Sequence, residues 1–266
     1  MLSASTEGGT SAIVSPAGAY LSDGTAVVTA TPAPGWTFLQ WLGDASGTNP
    51  TASVAMSRNK CVRAVFGTAL SHTVVGSGSV VCSPVSGLYP YGSGVRLSAV
   101  PQAGNYFVLW GNAASGTNNP LSFTITNANP TVTAVFAALG GSGTFALTVV
   151  PNGFGQVLAS PRANRYATGT NVTLTALPDA GQSFLSWSGD ASGTNHPLVV
   201  TMNPSKVITA NFTKRPRLEV FTCGGVLDPA NVPLQMRGEP GRVQFNDAFV
   251  TNRTQRFYRA MDTPIP

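Results

Sequence analysis

WLGDASGTNP occupies residues 41–50, and two variants of it follow, WGNAASGTNNP from Trp110 and WSGDASGTNHP from Trp187. The pentapeptide Ala-Ser-Gly-Thr-Asn is therefore used three times in one chain. It is either a working site in three copies or one structural corner built three times. Small and turn-forming residues dominate it. Gly47, Gly116 and Gly193 can take left-handed backbone angles without a Cβ clash, and the Ser, Thr and Asn side chains can hydrogen-bond the local backbone. A calcium loop would draw on Asp44 or Asp190 with neighbouring oxygens, but the second copy has Ala113 at that place. A hard cation also wants several carboxylates. The corner reading explains all three copies, and no metal is expected.

Working outward from the pentapeptide, the whole chain falls on a ruler of about seventy residues. Taking Pro32, Pro101 and Pro178 as origins, a tyrosine stands twelve residues upstream (Tyr20, Tyr89, Tyr166). A glycine stands three downstream (Gly35, Gly104, Gly181), a phenylalanine six (Phe38, Phe107, Phe184) and a tryptophan nine (Trp41, Trp110, Trp187). The periods are 69 and 77 residues, the second lengthened by the linker AALGGSGT and a longer first turn.

Each unit reads as strands. NVTLTAL sets Val172, Leu174 and Ala176 against polar neighbours, the period of a half-buried strand. Leu198, Val200 and Met202 alternate after the corner, and Ile208, Ala210 and Phe212 close the unit. These last two runs, around a short polar turn, predict a hairpin. ALTVVPNGFGQVLASP and SHTVVGSGSVVCSP predict two more, with Asn152-Gly153 and Gly76-Ser77-Gly78 supplying tight connections. No window carries a helical stripe, so the fold class is all-β with about six short strands per unit. Phe184 and Trp187 are three apart, which would send them to opposite faces of a regular strand. Either both faces are buried there or a bulge turns one ring.

Charged residues make up 9% of the chain, against an ordinary apolar content of 42%. Residues 1–213 hold seven Lys/Arg and five Asp/Glu, and residues 214–266 hold eight and five. The formal excess of +5 is spread without a block of like charge, so a nucleic-acid partner is not expected. The one mixed basic and aromatic cluster, Arg253, Arg256, Phe257, Tyr258 and Arg259, is equally well explained as a solvated strand. No apolar run approaches the ~20 residues that span a bilayer.

Catalytic constellations are not assembled. His72 and His196 do not recur between units, and the ten acids are scattered singly. No P-loop, HExxH or dinucleotide fingerprint is present. The chain reads as non-enzymatic and without a cofactor. Cys61 and Cys82 replace small apolar residues of the other units (Val207; Val14 and Ala159), which predicts packed thiols; the state of Cys223 stays open. The functional rival is a module that binds carbohydrate or protein through exposed aromatics. Its candidate residues are Trp36, which has no counterpart at Asn105 and Gln182 and is expected to be exposed, with Tyr20, Tyr89 and Tyr166. Trp41, Trp110 and Trp187 are expected in the core, since repeated rings at strand positions bury large areas.

Taken together, Tyr, a Val-x-Leu-x-Ala strand, Pro, Gly, Phe, Trp, Gly-Asp, Asn-Pro and a closing Ala-x-Phe resemble the divergent InlB B-repeat family of bacterial surface proteins. Three tandem sandwich-like modules are expected, at residues 1–68, 69–139 and 145–213, with a β-rich tail over 214–266. The third matches best, the second loses Gly-Asp at WGNAAS, and the first has only MLSAST for an opening strand, which is expected to be incomplete. The tail, LQMRGEPGR followed by VQFNDAFVTNRTQRFYRA, resembles a shortened C-terminal segment of large secreted bacterial proteins. The resemblance implies a non-enzymatic spacer or adhesion segment outside the cell, facing surface glycans or proteins, built of monomeric modules in a longer chain. MLSASTEGG lacks the basic and apolar stretches of a signal peptide, which taken literally reads as cytoplasmic; the missing opening strand, which would leave an edge unpaired, predicts instead that Met1 lies within a longer reading frame.

Overall fold

The computed structural model describes the backbone of residues 2–7, 12–14, 24–57 and 59–214, with tail strands at 217–222, 225–227, 234–239, 242–247 and 256–261. Side chains are described for residues 2–6, 24–57 and 59–214. Every regular element among the described residues is a strand. The chain forms two compact units, Met1–Gly67 with Pro216–Thr263, and Thr68–Arg215 with Pro264–Pro266.

The first repeat contains β1 (Leu2–Glu7), β2 (Ala12–Val14), β3 (Thr25–Thr31), β4 (Thr37–Gly43), β5 (Thr51–Ala55) and β6 (Lys60–Thr68). The second contains β7 (Ser71–Val75), β8 (Gly78–Ser83), β9 (Tyr89–Pro90), β10 (Gly94–Pro101), β11 (Asn105–Asn112), β12 (Leu121–Thr124) and β13 (Thr131–Ala138). The third contains β14 (Thr144–Asn152), β15 (Gly155–Ser160), β16 (Arg165–Ala167), β17 (Asn171–Pro178), β18 (Phe184–Gly189), β19 (Leu198–Thr201) and β20 (Lys206–Phe212). In the tail, β21 (Arg217–Thr222) pairs with β22 (Gly225–Leu227), while β23 (Leu234–Glu239) and β24 (Arg242–Asp247) form a hairpin. The last strand, β25 (Arg256–Met261), returns antiparallel to β21.

The expected hairpins within the repeats are not formed. In the third repeat one sheet has the order β16-β14-β20-β18 and the other β15-β17-β19. The short β16 included, each strand of this repeat lies in the opposite sheet from the one before it. The second repeat divides into β11-β13-β7 and β12-β10-β8, and the first into β1-β6-β4 and β2-β3-β5, where β2 and β3 are neighbours. Sequence alternation reports which residues face inward but not which strand lies alongside, so a run–turn–run pattern fits a hairpin and a sheet-to-sheet arch alike. The arch has a physical cause at its glycines. A Cβ on Gly153 (φ +101) would strike the Phe212 carbonyl, and one on Gly155 would enter the Phe212 ring. Gly76 and Gly78 meet Phe136 in the same two ways. The Gly-x-Gly pair thus lets the chain wrap the terminal phenylalanine on its way to the other sheet.

The first and last strands of each repeat lie side by side and parallel. Leu147–Asn152 runs along Lys206–Asn211, Ser71–Val75 along Thr131–Val135, and Leu2–Glu7 along Lys60–Val65. The opening strand expected to be incomplete in the first repeat is therefore formed over all six residues of β1. The signal was hidden because Leu2–Glu7 is mostly polar and small.

Packing follows the alternation. In the third repeat Val172, Leu174 and Ala176 of one sheet and Ile208 and Ala210 of the other have no exposed surface, and Leu147, Met202 and Phe212 join them. Trp41, Trp110 and Trp187 are 1–2% exposed, as expected of core rings. The spacing puzzle is resolved by a bulge. Register slips by one residue between Phe38 and Gln40, Phe107 and Leu109, and Phe184 and Ser186. One extra residue turns the strand so that rings three apart share a face, with Phe–Trp centroids 5.3, 4.9 and 5.0 Å apart. The inserted residue of the third copy, Leu185, is pushed to 51% exposure.

Candidate functional site

The recurring corner is shared by all three repeats, and it is assembled from the tryptophan strand outward. The backbone N–H of Trp41, Trp110 and Trp187 donates to the carbonyl of Gly47, Gly116 and Gly193, at 2.9, 2.9 and 2.7 Å. Those glycines have φ of +95, +90 and +114°, the left-handed region where a side chain would be strained. The indole Nε1–H of each ring donates to the carbonyl of Asn49, Asn118 or Asn195, at 2.9, 2.7 and 2.8 Å. Each tryptophan thus holds the middle and the last residue of its own pentapeptide, and its buried polar hydrogen is satisfied.

The aspartates fasten the corner to the closing strand. Asp44 accepts the Cys61 N–H at 2.9 Å, and Asp190 accepts the Val207 N–H at 2.7 Å. Lys60 also pairs with Asp44 at 2.9 Å, where the carboxylate is almost fully enclosed. In the second repeat Ala113 keeps only the backbone bond, from its N–H to the Thr131 carbonyl. Asn112, at φ +62° where the other copies have Gly43 and Gly189, bonds the Thr133 hydroxyl at 2.6 Å. Asn tolerates the left-handed region better than most residues, so the second corner is refastened one residue earlier.

A second variation lies beside it. Asn119 receives the Ala99 N–H at 2.9 Å and donates to the Ala99 carbonyl at 2.7 Å. His196 replaces it in the third repeat and only accepts, from the Ala176 N–H to Nδ1 at 3.2 Å, with its ring 5.6 Å from Phe184. In the first repeat the residue is missing and the Pro50 carbonyl takes the Ala30 N–H directly. His196 is therefore a local backbone brace. His72 lies exposed in β7, and the two histidines sit in different repeats.

The residues proposed as a binding platform are placed otherwise than expected. Trp36 is 9% exposed and counts among the buried residues, so the expected exposure is corrected. It follows Pro34-Gly35 in a turn, where sequence gives no periodicity from which to read burial. Tyr89 and Tyr166 are 5% exposed. Their hydroxyls donate to the Pro84 and Pro161 carbonyls at 3.0 Å and accept the N–H of Ser86 and Ala163. Burial pushes both phenols above their ordinary pKa, opposed in part by those N–H bonds. Tyr20 lies outside the described residues, as do Cys223 and the basic-aromatic cluster Arg253, with the side chains of Arg256, Phe257, Tyr258 and Arg259.

Chemical reactivity is damped where it occurs. Cys61 is buried, and burial raises the Cys82 thiol above its usual pKa, away from a reactive thiolate. Among the described residues no group of three or more His, Cys, Asp or Glu is placed to hold a metal ion. Among the same residues no helix is long and apolar enough to cross a membrane. The arrangement closes turns and aligns strands, and its polar groups are occupied in doing so. The family model described as Divergent InlB B-repeat domain matches residues 2–70, 68–140 and 145–216. No curated protein matches the chain.

Proposed function

Because the chain belongs to the divergent InlB B-repeat domain family, in three tandem copies, we propose that it is a spacer or adhesion segment of a bacterial secreted or cell-surface protein, without catalytic activity of its own. The observation that carries this reading is the inward use of the repeated residues among those described. Rings, corner carbonyls and aspartates are all spent on closing modules. Repeated modules with their own cores suit a role in which length and stiffness are the product.

The junction of the second and third repeats supports it. Arg96 pairs with Asp179 through Nη2 at 3.0 and 3.2 Å, Asn164 donates to the Thr117 carbonyl at 3.0 Å, and the Arg165 guanidinium stands 4.9 Å from the Tyr106 ring centroid. These contacts tie two modules into one stiff stretch. Recognition of glycans through Trp36, Tyr89 and Tyr166 would require ring faces that are packed away. A protein partner has more to meet on the third repeat, where Leu158 and Val199 are 52% and 58% exposed on the outer face of β15-β17-β19. Arrays of surface glycans and bacterial surface proteins, probed with the whole chain, test the reading. Background binding is expected. Saturable binding lost in Leu158→Asp would establish recognition instead.

A further inference from the structure

We infer that each module is a force-bearing element whose parallel first and last strands act as a shear clamp; this rests on the spacer reading and adds a mechanical property to it. The geometry is repeated three times. Because the two terminal strands run parallel, the chain enters at one end of the ladder and leaves at the other. Six paired residues at about 3.3 Å each separate entry from exit by about 20 Å. Tension along the chain draws β14 toward its start and β20 toward its end. The ladder is loaded along its length, and its hydrogen bonds share the load and must fail together. A hairpin loaded at its open end would fail one bond at a time.

Side chains reinforce the same two strands in every copy, always between residues in direct register. Asn152 Nδ2 donates to Asn211 Oδ1 at 3.1 Å, Thr73 and Thr133 share a hydroxyl bond of 2.7 Å, and Arg63 Nε donates to the Ser5 hydroxyl at 3.3 Å. The three bridges use different chemistry at a common task. The Gly-x-Gly arch adds a mechanical stop in the second and third repeats. Its backbone is wrapped against Phe136 or Phe212 at the end of the last strand, in the path β7 or β14 would take when drawn backward. The last strand is also held on its far side by the tryptophan strand.

Single-molecule force spectroscopy separates this from mere stability, because the direction of pull leaves the folding equilibrium unchanged. The whole chain, with Cys61→Val, Cys82→Ala and Cys223→Ser, is pulled first from its ends. It is then pulled from thiols at Ser77→Cys and Ala138→Cys, both just beyond the Val75–Val135 end of the β7–β13 ladder, so that the pair is peeled. Released residues lengthen the chain by about 3.5 Å each, which counts the modules that open, and the thiol pair confines the second pull to the module of β7 and β13. At one fixed force, peeling is expected to be faster by about a hundredfold or more, the equivalent of two ladder bonds failing together. Equal or slower peeling overturns the clamp. Asn152→Ala, pulled from the ends, provides a second reading: one of the module openings should come sooner than in the parent, and an unchanged set of openings counts against the bridge as part of the clamp. Failure of the clamp with silent binding arrays would leave the spacer reading standing; saturable binding would remove that reading whatever the forces.

Discussion

The second and third repeats close the same corner with different fasteners. In the third, Asp190 reaches the Val207 N–H; in the second, Ala113 cannot, and Asn112 reaches the Thr133 hydroxyl instead. The indole bond to the asparagine carbonyl and the Trp N–H bond to the glycine carbonyl are unchanged. What is held constant is the ring and its two turn bonds, and what varies is the polar group outside them. A site built to bind through its carboxylate would lose its function when that group became alanine. A corner loses one fastening and gains another.

The comparison can be broken at several strengths. Trp187→Ala removes the ring that both copies depend on and should cost about 3–5 kcal/mol. Hydrogen exchange followed by mass spectrometry should show the loss in peptides of the third repeat, and Trp110→Ala should do the same to the second. Comparable protection in both variants and the parent would show that the rings are not what the corners share. Gly155→Ala drives a methyl into the Phe212 ring, and overpacking of this kind costs about 1–3 kcal/mol. Gly78→Ala should match it against Phe136, measured as a shift in denaturant midpoint.

Asp190→Ala makes the third corner like the second without supplying Asn112. It leaves the Val207 N–H without its carboxylate and should cost about 1–2 kcal/mol; adding Gly189→Asn should not restore it, because a Cβ there would strike the Val207 carbonyl. His196→Asn goes the other way, adding the donor bond that Asn119 makes and gaining about 0.5–1 kcal/mol in thermal unfolding. The smallest effect concerns pH. Tyr89 and Tyr166 are held protonated in the fold by burial, so their folded pKa lies above the unfolded one. Their contribution is complete below the ordinary tyrosine range near pH 10 and is lost as pH rises beyond it. Circular dichroism against pH should show weakening above that point, less steep in Tyr166→Phe.

Much of this was legible in the residues. The ruler of prolines, phenylalanines and tryptophans located three modules, and alternation at Val172, Leu174 and Ala176 identified core positions. The bulge was half legible, since Phe184 and Trp187 announced a conflict of phase that only partner strands could settle. Sheet membership was not legible at all. Val157 and Ala159 alternate as they would in a hairpin with β14, yet they pair with β17. The signal that could have told was Gly-x-Gly recurring ahead of a terminal phenylalanine, which is a long-range contact and invisible to local reading. Trp36 misled for a related reason. Lacking a counterpart in the other repeats argued for exposure, but burial is decided by the neighbours a fold brings, not by repetition.

The place of β20 has a consequence for how a module comes into being. It is the final strand made, and it stands in the interior of its sheet, with β14 on one side and β18 on the other. Until it emerges from the ribosome, the strand made first and the strand carrying the tryptophan have no partner in common. Assembly must wait for pairings about sixty residues apart in sequence, the kind that slows folding most. Each module is thus spun out loose and sets only when its last strand arrives, so a chain cut just short of Lys206 would carry a length of unclosed sheet rather than a smaller module.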